Sequence, residues 1–332
     1  MKIKATFKAC SMTVFGAVLA LGALSQPAAA AEWPTKDVHL IVPYSAGGNT
    51  DVLARRVADL LQRELKANVV VENRPGAGST VATARLARGG RDADHTILMA
   101  SPGHVIGPAI YPNLGYDAVE DFRFIDKLVD MPNVMVVPAS SPYNTVGEFI
   151  NAASGANPMT FSHPGIGSSI HMSGELFRTF TKLPMVAVPY QGSGAALPAL
   201  LGGDVDVSFE NMSTVLPHIK SGGLRALAVT SPERSPFLPD VPTIRETSGY
   251  GLDGFVTGVW NGIIAHKSFP DEGVDVLREA LKKVKETPEF RGFAKEMGAA
   301  EPSTASGDEF KAFIVSEIER WRKVAEDAGI RN

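Results

Sequence analysis

The sequence predicts an α/β protein built as two lobes of similar size. Short apolar runs alternate with helix-spaced apolar positions over residues 38–99, and the alternation restarts over residues 160–229. Three of the joins are long loops of glycine and hydroxyl residues placed between a strand and a helix. No apolar stretch after residue 31 reaches the roughly 18 residues of a membrane-spanning helix.

The first 31 of the 332 residues read as a cleavable leader. Lys2, Lys4 and Lys8 precede an apolar run at residues 12–24, and Ala28 to Ala31 offer small residues to a signal peptidase. A run of 13 residues is too short to span a bilayer. Cleavage is expected after Ala31, within a residue or two, which places a mature chain of 301 residues in the periplasm. The single cysteine, Cys10, leaves with the leader and lies ahead of the apolar run, where a lipoprotein cysteine would follow it. The mature chain therefore has no thiol nucleophile, no disulfide and no cysteine metal site. Removing three lysines leaves 29 basic against 36 acidic residues, a net charge of −7, which argues against a nucleic-acid or anionic-membrane partner. Roughly 300 residues bury about 75% of the unfolded surface, enough for a core without crosslinks.

The elements follow in order. Residues 38–42 form a strand, and Leu53, Val57, Leu60 and Leu61 mark a helix after it. Residues 69–71, 79–87 and 96–99 continue as strand, helix and strand, so a parallel sheet is expected. Residues 133–137 are a further strand, and Thr145 with Glu148 suggests a capping box opening a helix to Ala153. Strands at 160–162, 185–188, 205–209 and 224–229 enclose helices at 168–180 and 194–201. Pro232, Pro236, Pro239 and Pro242 make residues 231–243 an extended loop. A last strand at 256–264 precedes helices at 271–285 and 308–328, the second with Phe310, Phe313, Ile314, Ile318, Trp321 and Val324 along one face. Asp117 and Asp121 read as turn and helix-start residues. The first lobe is assigned residues 32–135 and about 258–332, and the second residues 136–257.

The chemistry is sought in the three loops. The first is Tyr44, Ser45, Ala46, Gly47, Gly48, Asn49, Thr50, Asp51. The second runs from Ser162 through Gly165, Ile166, Gly167, Ser168 and Ser169, with His171 two residues on. The third holds Tyr190, Gly192 and Ser193. In an open parallel sheet, ligands bind beyond the carboxyl ends of strands. There the first turn of a helix offers unpaired N–H groups and the positive end of its dipole, and glycine lets an anion approach. The same residues also make ordinary capped turns, and Asp51 suits a capping role as well as a ligand amine.

Enzyme and metal signatures are poor. No Gly-x-Ser-x-Gly elbow surrounds Ser168 or Ser169, and His163 and His171 lack zinc spacing. Gly76-Ala77-Gly78 follows a strand, but its third small residue is out of step for a dinucleotide fingerprint. No catalytic residue, cofactor or metal is expected. An exported hydrolase using Ser168 or Ser169 with His171, and a ligand sensor, remain the rival readings.

Several segments together resemble the Bug family, the extracytoplasmic solute receptors of tripartite tricarboxylate transporters. They are Trp33-Pro34, Ile41 to Gly48 with Thr50-Asp51, Val71 to Gly78, Gly165-x-Gly167-Ser168-Ser169-x-His171, Val188 to Ser193, Gly202 to Asp206, Leu224 to Val229, Pro239 to Thr243 and Glu317-x-x-x-Trp321. The resemblance implies a type II-like periplasmic binding protein fold, two α/β lobes around a ligand cleft with a hinge. It implies a monomer that binds a small carboxylate, such as a di- or tricarboxylate, an acidic amino acid or an aromatic acid, and delivers it to integral-membrane transporter subunits. Backbone amides and hydroxyls of residues 45–51 and 165–169 would grip the carboxylate, with Tyr44, Tyr190 and Ser193 lining the rest. Asp92-Ala93-Asp94-His95-Thr96 and His266-Lys267 depart from the family's usual Asp-Gly-Tyr-Thr and Pro-Ala, and Asn49 falls at a variable position, which leaves the ligand open.

Overall fold

A computed structural model describes residues 33–155 and 158–330. The leader with Cys10 lies outside the described residues. The first lobe begins with β1 (Val38–Val42), α1 (Asn49–Leu65), β2 (Val69–Asn73), α2 (Thr80–Ala87), β3 (Thr96–Ala100), α3 (Gly103–Ile110) and β4 (Phe122–Met131). The second comprises β5 (Asn133–Pro138), α4 (Val146–Ala153), β6 (Met159–His163), α5 (Ser169–Thr181), β7 (Met185–Pro189), α6 (Ser193–Gly202), β8 (Val207–Asn211), α7 (Met212–Lys220) and β9 (Leu224–Val229). The chain then returns to the first sheet with β10 (Val259–His266) and ends in α8 (Asp271–Glu286), α9 (Pro288–Glu296) and α10 (Asp308–Ala328).

Each lobe holds a five-stranded sheet, in the orders β2-β1-β3-β10-β4 and β7-β6-β8-β5-β9. The parallel sheets expected from the alternation are mixed. β10 runs antiparallel to β3 and β4, and β5 antiparallel to β8 and β9. The reason is where the chain changes lobes. It leaves β4 and β9 at their carboxyl ends, so β5 and β10 start at that end and must run the other way. β4 ends at Met131 in one sheet and β5 starts at Asn133 in the other, so the outward switch falls at Pro132, ahead of the Val136 read from sequence. The return occupies residues 230–258. The two switch points are bonded together: Thr230 Oγ1 accepts from the Asn133 amide at 2.8 Å, and the Thr257 amide donates to the Thr230 carbonyl at 3.0 Å.

Amphipathic spacing holds where it was read. Leu53, Val57, Leu60 and Leu61 are buried on α1, and Phe310, Ile314, Ile318, Trp321 and Val324 on α10, where Phe313 is partly buried. α10 lies against α3 of the first lobe and α5 of the second, so one apolar cluster runs from Leu98 and Ile106 to Phe161 and Phe209. Thr145 caps α4 by accepting from the Glu148 amide at 3.1 Å. The Glu148 carboxylate, however, accepts from Asn144 rather than from Thr145.

Three elements escape the apolar patterns. α3 contains Gly107 and Pro108 and α7 contains Pro217, residues of poor helix propensity that tertiary packing overrides. β4 is hidden by its charges: Asp126 accepts from Lys285 Nζ at 2.8 Å, and Lys127 Nζ sits 3.6 Å from the centre of the Phe313 ring. Asp121 accordingly precedes a strand, not a helix, and accepts from the Asp117 amide.

Candidate functional site

The segments that follow β1, β2 and β3 touch those that follow β6 and β8. The first loop ends in the opening turn of α1. Asp51 is 2% exposed and fastens this loop to itself. Its carboxylate accepts from the Gly47 amide at 2.8 Å, from Arg55 Nε at 3.0 Å and from Asn73 Nδ2 at 2.8 Å. Burial alone would raise the Asp51 pKa; the Arg55, Gly47 and Asn73 hydrogen bonds outweigh it and hold the carboxyl below its ordinary value. Asp51 is thus a clip that ties the loop to α1 and to β2. Ser45, Ala46, Gly47 and Gly48 are exposed, and Thr50 is buried. Gly47 takes φ of +83°, which makes the turn before α1 possible.

Tyr44 turns inward. Its hydroxyl lies 2.8 Å from Ser101 Oγ and beside the start of α3, where a Cβ on Gly103 would come within 2.8 Å of it. Burial raises the phenol pKa.

The second loop is held by two imidazoles. The Gly165 amide donates to His163 Nδ1 at 3.2 Å and the Gly167 amide to His171 Nδ1 at 3.4 Å. Both rings are buried, with centroids 4.4 Å apart. Accepting at Nδ1 requires neutral imidazoles, and burial lowers both pKa values, to about 3 for His171, where His163 and Arg178 add to the effect. Two glycine amides expected to face a ligand are therefore spent inside the loop. Ser168 is the N-cap of α5: its Oγ accepts from the His171 amide at 3.1 Å and donates to the Gly165 carbonyl at 2.8 Å. The amides of Ile166, Ser169 and Ile170 and the Ser169 hydroxyl keep their donors free of protein acceptors among the described residues. Neither Ser168 nor Ser169 hydrogen-bonds to the His171 ring, so the nucleophile and base of a hydrolase are not paired.

In the third loop, Tyr190 leans on the core of its own lobe, and its amide donates to the His163 carbonyl at 2.9 Å. Ser193 opens α6 and points at Glu210, the penultimate residue of β8, with its Oγ 3.3 Å from both carboxyl oxygens.

The lobes touch directly. Ser213 Oγ at the start of α7 donates to Asn49 Oδ1 at 2.8 Å. A Cβ on Gly78 would lie 2.9 Å from the Ile166 carbonyl oxygen, and one on Gly167 would lie 3.3 Å from Ile110 Cδ1 on α3. Buried polar atoms without protein partners gather in this region: Asn49 Nδ2, Ser79 Oγ and Asn211 Oδ1.

Gly78, Ser79, Ser101, Glu210 and Ser213 were not among the candidate site residues. The turn dismissed as a failed dinucleotide fingerprint belongs to the first lobe's wall. Gly76, Ala77, Gly78 and Ser79 all have positive φ, at 152°, 42°, 59° and 87°, and Ala77 and Ser79 pay steric strain for it. The usable signal was positional, since this turn and Ser101-Pro102-Gly103 follow strands just as the first loop does. A cavity of about 230 Å³ beside His39, Glu72, Arg74 and Arg85 includes none of the loop residues. Among the described residues no group of acidic, histidine or cysteine side chains is arranged to hold a metal, and no helix is long and apolar enough to cross a membrane.

Two α/β lobes with helix starts converging between them define a solute-binding protein of the two-lobe periplasmic type. The comparisons with known proteins agree. Rpa4515 of R. palustris, solved with adipate, is 32% identical with a TM-score of 0.82, over 90% of this chain and 99% of that one. MatC of Rhodopseudomonas palustris, solved with bound malate, is 30% identical with a TM-score of 0.80, over 88% and 99%. Protein BugT of Bordetella pertussis is 34% identical over 96% of this chain and 98% of its own. The profile of the tripartite tricarboxylate transporter family receptor matches residues 53–330. The chain belongs to that receptor family.

Proposed function

We propose that this receptor captures a small carboxylate between its lobes in the periplasm and presents it, as a monomer, to integral-membrane transporter subunits. The observation that carries the reading is the convergence of two helix starts from different lobes. Asn49 on the first turn of α1 touches α7, and Gly167 just ahead of α5 touches α3, so a ligand between them meets donors of both lobes. Unengaged amides and hydroxyls with two positive dipole ends suit an anion and offer little to a neutral sugar or an amine. The adipate and malate in the two solved relatives support the carboxylate class. A ligand contacting both lobes favours their closed arrangement by its differential affinity, and closure supplies a surface for a transporter to recognise.

The test is a thermal-shift screen of residues 32–332, freed of ligand by unfolding and refolding. It compares mono-, di- and tricarboxylates, aromatic acids and acidic amino acids with matched amines and sugars. Ligand at 100 times its dissociation constant adds ~2.7 kcal/mol, roughly 5 °C or more here. Shifts confined to carboxylates are expected. Shifts with amines or sugars alone would refute the assignment of the loops. Bulky replacements at Gly47 and Gly167 should weaken carboxylate binding, and unchanged affinity in both would do the same.

A further inference from the structure

Glu210 is fully buried yet lacks a cationic partner among the described residues. Its carboxyl meets only the Ser193 hydroxyl, 3.3 Å from both oxygens, and the Asn211 amide at 3.3 Å. An ionised carboxylate left with two long hydrogen bonds in the interior is costly, and a neutral acid is not. The elements packed on β8 offer no counter-charge. β5 and α6 carry no ionisable side chain. His163 on β6 and His171 on α5 are engaged with glycine amides as neutral rings, and Arg178 on α5 pairs with Glu175 at 2.5 Å. His218 and Lys220 lie in the last turn of α7, the end away from Asn211. Burial accordingly pushes the Glu210 carboxyl up to about 7.

The protonation state of Glu210 decides what Ser193 offers outward. Beside an ionised Glu210, the Ser193 hydroxyl spends its single hydrogen on the carboxylate and presents only lone pairs, which suit a ligand ammonium. Beside a neutral Glu210, the acid donates to Ser193 Oγ, and the serine hydrogen is free for a ligand carboxylate. We propose that Glu210 is a positioning residue that works as a neutral acid behind Ser193, so that capture of a carboxylate takes up one proton from solvent and ligands presenting an ammonium at this position are rejected. This rests on the carboxylate-receptor reading above and adds the polarity of the second lobe's wall.

Isothermal titration of residues 32–332 with adipate and with malate, in phosphate and in Tris from pH 6 to 9, measures the proton count directly. The expected result is uptake approaching one proton per ligand on the alkaline side, with the dissociation constant rising about tenfold per pH unit there. Glu210→Gln keeps a permanent donor toward Ser193. It should abolish uptake and flatten the pH profile while holding affinity at pH 6 within about threefold. Ser193→Ala should lose about tenfold or more in affinity at pH 6, together with the uptake. Enthalpies independent of buffer, proton release, or an E210Q profile as steep as that of the unaltered protein would each overturn the proposal. If E210Q does not fold, the proton count of the unaltered protein and of S193A decides. Binding of neither dicarboxylate, nor of any acid in the thermal screen, would instead sink the receptor reading and this inference with it.

Discussion

Gly78→Ala separates what the lobe contact contributes from what the turn itself costs. The added Cβ would stand 2.9 Å from the Ile166 carbonyl oxygen of the other lobe, closer than a real Cβ approaches such an atom. Neither partner is a flexible side-chain end, so the lobes must separate or the turn must shift. Overpacking of this kind costs about 1–3 kcal/mol, and it applies only while the lobes are together. Every tenfold in affinity is ~1.4 kcal/mol, so adipate or malate should bind about 5- to 150-fold more weakly. The φ of +59° adds about 1–2 kcal/mol for any L side chain, whichever way the lobes sit. That second cost lowers the urea midpoint of the ligand-free protein. Gly115→Ala is the control: it has φ of +73° and nothing within 4 Å, so it should lose stability alone. Calorimetry gives the affinities and urea unfolding the stabilities. If G78A and G115A lose stability alike and both bind as the unaltered protein does, the Gly78 contact has no part in the ligand-bound state, and the argument fails.

Asp51→Ala removes the acceptor shared by Gly47, Arg55 and Asn73, and equilibrium unfolding should show a loss of about 2–4 kcal/mol; a change under half a unit would mean the clip is idle. His163, His171 and His104 are buried with pKa values below the ordinary 6.5, near 3 for His171 and 4 for His104, so the unfolded chain binds more protons below pH 6.5. Each ring therefore takes away stability as pH drops from 6.5 toward 4, by up to ~1.4 kcal/mol per unit, while Glu210 and Asp126, raised by burial, contribute in the opposite sense; His171→Gln should remove its ring's share of the slope. A urea midpoint whose pH dependence between 7 and 5 is the same in His171→Gln as in the unaltered protein would contradict this. Lys285→Met strands Asp126, which is 1% exposed and already raised to about 6 by burial against the pull of Lys285. Unfolding should show a loss of about 3–5 kcal/mol, mostly recovered when Asp126→Asn is added, and additive losses in the double variant would refute the pairing.

Patterns of period and punctuation carried the sequence reading far. Leu53, Val57, Leu60 and Leu61 on α1 and the apolar face of α10 report burial directly, because spacing along a helix is a local property. The glycine loops were legible for the same reason: a glycine at φ of +83° and a serine cap are demands of one turn on its own residues. Local pattern could not show β4, whose charges are satisfied by Lys285 and Asp130, nor α3, which Gly107 and Pro108 disguise.

The site divides along the same line. The sequence by itself determined which strand-to-helix loops carry small residues and hydroxyls, and so what kind of chemistry they could hold. Which donors stay available is set by how each loop folds on itself, and by one longer contact from Ser101. His163 and His171 take up the Gly165 and Gly167 amides, Asp51 takes up that of Gly47, and Ser101 faces the Tyr44 hydroxyl. Only the tertiary structure brought Asn49 to Ser213 and Gly78 to Ile166, pairs 164 and 88 residues apart in the chain. A hydrogen bond within a turn depends on a few neighbouring dihedrals, whereas a contact between lobes depends on every element that orients them. No window of sequence contains that information.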